Sequence, residues 1–439
     1  MKKISTYCLI FMINILHANN FNPAMIPIIN YLLEDIPIHI TRGPYLQQGT
    51  SNSIIVKWKT DTPTITHISY GTAIDNPTQT ISYEELSINH EIKLNNLQPN
   101  TRYYYHIRNS DGALEEGSKT YFQTSPITGS HTSTRIWVIG DSGNNNNIAK
   151  NVYKSYQAYT QNKYTNLFFM LGDNAYAVGS DDDYQHAVFE MYPEILKQSP
   201  LWSTLGNHDT YSQDNAYFKI FTFPKNAEVG GIASGTEHYY SFNYANIHII
   251  VLDSMQDDLT TMSPMYQWLE SDLQDYTTMT SLKWLVAFWH HPPYSKGSHD
   301  SDTESRLYNM RENYVPILED YGVDIVLSGH SHAYERSKFI HGHYGSSHTF
   351  NNSYVVQEGT GNPSSSSYIK NNINSPGTVY TVAGASGHAT GGPLNHTAME
   401  ISLNRVGSVV LDINESSLKA IYLDDNNHTL DIYQIDKNY

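Results

Sequence analysis

The sequence contains almost no cysteine. Among 439 residues there is one, Cys8, so no intrachain disulfide can form and a site built on several thiolates is excluded. Charge is sparse, and positive charge sparser. Charged residues make up 16% of the chain, with 26 Lys plus Arg against 43 Asp plus Glu and a formal net charge of −17. A surface of that sign repels nucleic acid and anionic lipid, so neither is expected as a partner. A phosphate-bearing substrate would need a local positive centre to draw it in, and bound metal would supply one. Long apolar runs are missing too. No stretch reaches the ~18 apolar residues of a membrane span.

What is present begins with an N-terminus patterned for export. Lys2 and Lys3 precede a mostly apolar stretch from Ile4 to Leu16, and Ala18 is placed to be the last residue removed. Residues 1–18 therefore read as a signal peptide, and the mature chain as secreted or periplasmic. The competing reading, a first strand or helix of the fold, stays open. Cys8 lies inside the leader, so the mature chain would have no thiol and form no disulfide-linked dimer.

From 38 to 126 the pattern alternates like an all-β domain. Ser53–Lys59 and Thr64–Tyr70 read as strands, with Trp58 as a core anchor, and Leu97–Ile107 reads as a turn entering a Tyr-rich strand. Leu97, Pro99, Thr101 and Tyr103 resemble the tyrosine corner of a fibronectin type III sandwich. A Ser/Thr/Gly/His stretch, Ser125–Thr134, reads as the linker. Beyond it, from 134 to 439, strand and helix alternate, an α/β pattern. Buried strands are expected at Arg135–Ile139, Leu167–Leu171, His248–Leu252, Leu285–Trp289 and Val323–Leu327, and helices at Ile148–Tyr159, Pro264–Leu273 and Ser305–Tyr321. Further sheet is expected near Ser402–Ile413 and Ser417–Ile435.

The chemistry sits where those strands end. Asp141 lies in Gly-Asp-Ser-Gly, Asp173 and Tyr176 in Gly-Asp-Asn-Ala-Tyr, Asn207 in Gly-Asn-His-Asp, His290 in His-His-Pro-Pro, and His330 and His332 in Gly-His-Ser-His. Each block alone is weak, but their joint occurrence after apolar runs is not. Ligands in α/β sheets gather at the carboxyl ends of strands, so the fold would bring these residues together. They offer hard oxygens and imidazoles for two adjacent metal ions, an arrangement suited to phosphate-ester hydrolysis. Asp173 is the natural bridge. Asp141, Tyr176 and His332 complete a set that a trivalent ion prefers, whereas Asn207, His290 and His330 suit a divalent one.

At this point the chain resembles a known family. Gly-Asp-x-Gly, Gly-Asp-x-x-Tyr, Gly-Asn-His, His-x-Pro and, above all, Gly329-His-Ser-His-Ala-Tyr-Glu-Arg336 look like the purple acid phosphatases, a branch of the calcineurin-like metallophosphoesterases. Thr41–Gln47 and the β domain look like that family's N-terminal part. The resemblance implies an N-terminal β-sandwich followed by an α/β sandwich of two mixed sheets flanked by helices. It implies Fe(III) on Asp141, Asp173, Tyr176 and His332, and a divalent Fe, Zn or Mn on Asp173, Asn207, His290 and His330. The implied activity is hydrolysis of small phosphomonoesters at mildly acidic pH by metal-activated hydroxide. His208 and His299 are then candidates to bind phosphate or protonate the leaving group. By register His290 is the ligand and His291 a supporting residue, with a shift of one residue, to His291, as the open alternative. A phosphodiesterase or nucleotide hydrolase on the same scaffold is the alternative. A non-catalytic reading, an adhesion module beside a disused scaffold, is disfavoured by the complete ligand set.

Other residues draw blander readings. Glu335 and Arg336 are expected to pair in support of His332. Asp181–Asp183 reads as a solvated loop or helix start, and His341, His343 and His348 as a polar loop. His388, in the Gly384–His388 turn, is a weaker candidate to line the cleft.

Overall fold

The computed structural model describes residues 37–109, 112–161, 163–371 and 375–438; the expected leader at 1–18, with Cys8, lies outside them. Strands β1 (Ile40–Gln47), β2 (Ile54–Gly71), β3 (Gln79–Leu94), β4 (Arg102–Asn109), β5 (Gly112–Glu115) and β6 (Tyr121–Gln123) form one six-stranded sheet. The two strands expected at 53–59 and 64–70 are halves of the single long β2. Its register shifts between Lys59 and Thr64, so the strand bends without ending. The first half pairs β1 and the second half β4. The sheet closes on a core of Leu46, Val56, Trp58, Tyr105, Ile107 and Phe122. Tyr103 makes the corner contact, its hydroxyl accepting from the Gln98 N–H at 2.9 Å.

The rest of the chain builds two seven-stranded sheets. The first uses β7 (Thr134–Ile139), β8 (Leu167–Met170) and β9 (Leu201–Ser203). The second uses β10 (Tyr240–Tyr244), β11 (Ile247–Val251), β12 (Trp284–Phe288), β13 (Ile325–Ser328) and β14 (Tyr334–Ser337). A two-stranded ribbon, β15 (Phe339–Ile340) with β16 (Val355–Gln357), follows. Then β17 (Tyr368–Lys370) joins the first sheet, and β18 (Val379–Ala383) and β19 (Met399–Leu403) the second. The chain ends with β20 (Gly407–Ile413), β21 (Ser417–Asp424) and β22 (Thr429–Lys437) in the first sheet. Both sheets are mixed. β7, β8 and β9 run parallel, as do β11, β12, β13 and β18, while β20 to β22 and β10, β14 and β19 supply antiparallel pairs.

The sheets face each other through aromatic contacts. Phe169 lies 4.8 Å from Phe288, Trp202 3.7 Å from Phe242, and Tyr334 3.9 Å from Tyr422, ring centre to ring centre. Helices cover the outer faces. Helix α1 (Asn147–Thr160) puts Tyr153 and Tyr156 against Trp137 of β7. On the other side, α2 (Pro264–Thr278) sets Met265, Leu269 and Leu273 into a cluster with Leu285, Ala287 and Val326. The helix expected at 305–321 forms, but Met310–Tyr314 is a π turn between α segments Ser305–Asn309 and Val315–Asp320. Pro316 lacks an N–H and crowds the preceding turn, which accounts for the widening there.

The N-terminal sheet is held against the rest of the chain by polar anchors. Arg42 forks onto Asp181 at 2.8 and 2.9 Å, and the buried Tyr45 donates to the Ile220 carbonyl at 2.7 Å. Asp181–Tyr184 is a helix start capped by Ser180 and Asp183, as the bland reading has it.

Candidate metal centre

The carboxyl ends of β7, β8, β9, β12, β13 and β18 meet at one edge of the sandwich. Asp141, Asp173 and His330, each just past a strand, have left-handed backbones with φ of 52°, 50° and 64°. Such geometry costs about 1–3 kcal/mol at a non-glycine residue and persists only where the surroundings enforce it. Two glycines are needed for the close approach. A Cβ on Gly206 would sit 2.1 Å from the Asp173 nitrogen, and one on Gly329 2.5 Å from Asp141 Oδ2.

The structure brings all seven expected ligand-type residues together. Tyr176 Oη lies 3.0 Å from Asp173 Oδ2, 3.4 Å from Asp141 Oδ1 and 3.4 Å from His332 Nε2. His332 Nε2 is 3.5 Å from Asp141 Oδ1. On the other side, His290 Nε2 is 3.5 Å from Asp173 Oδ1, 3.2 Å from Asn207 Oδ1 and 3.2 Å from His330 Nδ1. Thus the two oxygens of Asp173 face two different donor sets. His290 Nδ1 donates to the Leu171 carbonyl at 2.9 Å, which leaves the Nε2 lone pair for the cluster. His291 lies beside the cluster, its ring 4.3 Å from that of His330, its Nδ1 2.8 Å from Ser254 Oγ, and with His290 and His330 it forms a second group close enough to share an ion.

The electrostatics call for a cation. Asp141 and Asp173 are 0% and 2% exposed, and among the described residues their ion-pair partners are histidines rather than Lys or Arg. Burial pushes Asp141 well above the usual carboxylate range. Burial acts the same way on Asp173, but His290 and the His208 N–H outweigh it and leave the group lowered. Burial, then the two carboxylates, hold Tyr176 firmly as a phenol. Burial lowers His330 to about 3 and also lowers His332, which favours the neutral imidazole, the form that ligates metal. Buried carboxylates beside neutral imidazole lone pairs fit one or more cations, and Asp141, Asp173 and His290 already converge closely enough to share one.

The supporting residues divide into those the sequence exposed and those it hid. His208 packs its ring 4.4 Å from Tyr176 and bonds the Ala177 carbonyl through Nδ1 at 2.7 Å. The loop after β12 returns His299 to 3.7 Å from His330, ring to ring. Glu304, which no motif flagged, sits 2.9 Å from His299 Nδ1 and 3.5 Å from His330 Nε2. Asp209 ties two blocks together, accepting from the N–H groups of Asn174 and Gly206 and from Tyr184. His388 stands 3.8 Å from His332, ring to ring. The expected Glu335–Arg336 pair does not form. Glu335 accepts from Lys296 N–H and contacts Ser295, whereas Arg336 binds Asp431 at 2.6 and 3.1 Å. Neighbours on a strand point to opposite faces, so adjacency in sequence keeps them apart.

The two-sheet sandwich with such a cluster at its strand ends has known counterparts, and residues 134–334 match the family model described as calcineurin-like phosphoesterase. Residues 42–125 match the model of the purple acid phosphatase N-terminal domain. The chain is 30% identical over 282 residues to purple acid phosphatase 15 of Arabidopsis thaliana, covering 57% of this chain and 50% of that protein. It is 28% identical over 322 residues to a purple acid phosphatase of Glycine max, covering 69% and 66%. Among solved structures, the purple acid phosphatase from yellow lupin seeds superposes with a TM-score of 0.70 at 18% identity, covering 91% of this chain and 75% of that one. PhoD superposes with a TM-score of 0.61 at 14% identity, over 89% and 88%. Both parts of the chain thus resemble the purple acid phosphatases, the N-terminal part through its family model and the C-terminal part through the phosphoesterase model and the relatives of that name. It spans 50% to 66% of the length of the two curated relatives named.

Proposed function

We propose that the chain is an exported acid phosphatase that hydrolyses small phosphomonoesters at a dinuclear Fe(III)–M(II) centre. Asp141, Asp173, Tyr176 and His332 would hold Fe(III); Asp173, Asn207, His290 and His330 would hold divalent Fe, Zn or Mn. The proposal keeps the division into an N-terminal domain at 38–126, fibronectin type III-like, and a catalytic domain at 134–439. Nucleic acid and membrane are not partners in it. The observation that carries the reading is the position of Asp173, with Oδ2 3.0 Å from the Tyr176 hydroxyl and Oδ1 3.5 Å from His290 Nε2.

When bound, the metal pair supplies Lewis-acid charge and an acidified water. The protein does the rest. The Leu171 carbonyl fixes the His290 tautomer and ring. His208, whose Nδ1 donates to the Ala177 carbonyl, holds its ring beside Tyr176 and, as the imidazolium, donates from Nε2 to a phosphate oxygen. His299, its Nδ1–H on Glu304, acts as the imidazolium and gives its Nε2 proton to the leaving-group oxygen, becoming neutral. Glu304 and the Leu171 carbonyl thus act as positioning groups and touch no substrate.

The test is a visible absorption spectrum with metal content on the same purified sample, followed by rates on p-nitrophenyl phosphate and bis(p-nitrophenyl) phosphate. A purple band, about two metals per chain with iron among them, and preference for the monoester are expected. Two metals without the band would remove Tyr176 from iron, and preference for the diester would replace the phosphatase assignment by the phosphodiesterase one.

A further inference from the structure

One imidazole at the cleft has no part in the reading above. His388 closes the turn after β18, 3.8 Å from the His332 ring and 5.9 Å from that of Tyr176. The turn is clamped to the Gly140–Gly143 block. Gly140 N–H and its carbonyl bond Ser386, at 3.3 and 3.1 Å, and Asn146 Nδ2 donates to the Gly387 carbonyl at 2.8 Å. A Cβ on Gly387 would lie 2.5 Å from the Asp141 carbonyl oxygen, so the turn cannot be set further in or rebuilt with a larger residue. The backbone that leads into His388 is therefore fixed against the Asp141 loop.

Its polarity is also fixed. Asn144 Nδ2 stands 2.6 Å from His388 Nδ1. An amide nitrogen only donates, so Nδ1 accepts and the ring proton resides on Nε2. Nε2 has no protein partner among the described residues, nor is it among the buried polar atoms that lack one. The side chain is half-buried, so this donor opens to solvent at the rim of the cleft. A preorganised donor beside Tyr176 and His332, on a turn locked to the Asp141 loop, is placed for an anion bound at the centre.

We propose that His388 is a phosphate-contacting residue: its Nε2–H donates to a non-bridging phosphate oxygen on the Tyr176–His332 side of the cleft, and Asn144 acts as the positioning residue that sets its tautomer. The assignment rests on the phosphatase reading and adds a third imidazole to His208 and His299. A hydrogen bond to a charged group contributes ~1.5–3 kcal/mol, roughly a 10- to 100-fold change in affinity.

The experiment uses the metal-loaded full chain and measures kcat and KM for p-nitrophenyl phosphate, the inhibition constant of inorganic phosphate, metal content and the visible band. His388→Phe keeps the ring packing and removes the donor. It should leave metal and band intact and raise the phosphate inhibition constant about tenfold or more. His388→Gln, which retains a donor, should recover part of the loss. Asn144→Ala should weaken phosphate binding in the native background and have no effect in the His388→Phe background, and it carries the test alone if His388→Phe fails to fold. An unchanged inhibition constant in His388→Phe or in Asn144→Ala would overturn the assignment. So would loss of metal in both His388 variants, because His388 would then be a prop for His332. A native protein inactive on the monoester would instead overturn the phosphatase reading itself.

Discussion

His396 is 3% exposed, its Nδ1 accepts from the Ala398 N–H at 3.2 Å, and its Nε2 has no partner. Burial lowers its pKa from 6.5 to about 3, with Arg311, His343 and Lys296 adding to the effect and Asp302 opposing it. The unfolded chain takes up this proton as pH falls through 6.5, whereas the folded chain does not until about 3. The folded state is therefore fully favoured above that window and loses stability as pH falls through it. His396→Asn keeps the acceptor and removes the titration. It should shrink the stability difference between pH 7 and pH 4.5 by ~2 kcal/mol, read from urea unfolding at both values. An unaltered difference would mean that another group governs the acid side. At the same scale, His208→Ala should retain metal and lose roughly 100-fold in kcat, the contribution of a hydrogen bond to a charged phosphate oxygen; an unchanged rate would remove His208 from the reaction. The strand-end cluster was legible because each of its residues sits in a short turn motif after an apolar run. Glu304 and the full role of His388 were not, since both reach the cleft through loops whose return path depends on packing that one sequence does not display.

At the scale of elements, the sheets were easier to read than their joins. The buried parallel strands announced themselves as continuous apolar runs, because both faces are covered. The union of two expected strands in β2 was hidden by Asp61 and Pro63, which look like a turn and instead occupy an irregular stretch of one strand. The misassigned Glu335–Arg336 pair shows the same limit, for its true partner comes from the last strand. Arg336 on β14 and Asp431 on β22 bridge the two facing sheets, 0% and 6% exposed, and Tyr334 donates to the same carboxylate at 2.7 Å. Removing one member strands a buried charge. Arg336→Met or Asp431→Asn alone should destabilise by ~3–5 kcal/mol, and the double variant by clearly less than the sum of the two. Additive losses in urea unfolding would show that the pair does not couple the sheets.

At the scale of the molecule, the architecture concentrates negative charge where it is hardest to bury. A chain of net charge −17 drives six strand ends from two sheets to one edge and leaves Asp141 and Asp173 there without Lys or Arg partners among the described residues. The N-terminal sheet steadies this edge from the side. Arg42 grips Asp181, which follows the Tyr176 segment closely in the chain, so the loop that carries Tyr176 is braced between the sandwich and the N-terminal sheet. Metal binding and stability should then be one property seen twice. A ligand at about 1,000 times its dissociation constant adds about 4 kcal/mol to the folded state, and in a domain of this size each kcal/mol moves Tm by roughly 2–4 °C. Stripping metal with a chelator should therefore lower Tm by ~8 °C or more, and re-addition of iron with zinc should restore it. Asp173→Asn removes one of the opposed charges along with a ligand, so its Tm should respond little to chelator. If the native protein keeps its Tm after metal is shown to have left, the cluster is stable without cations and the electrostatic argument for a resident dinuclear centre fails.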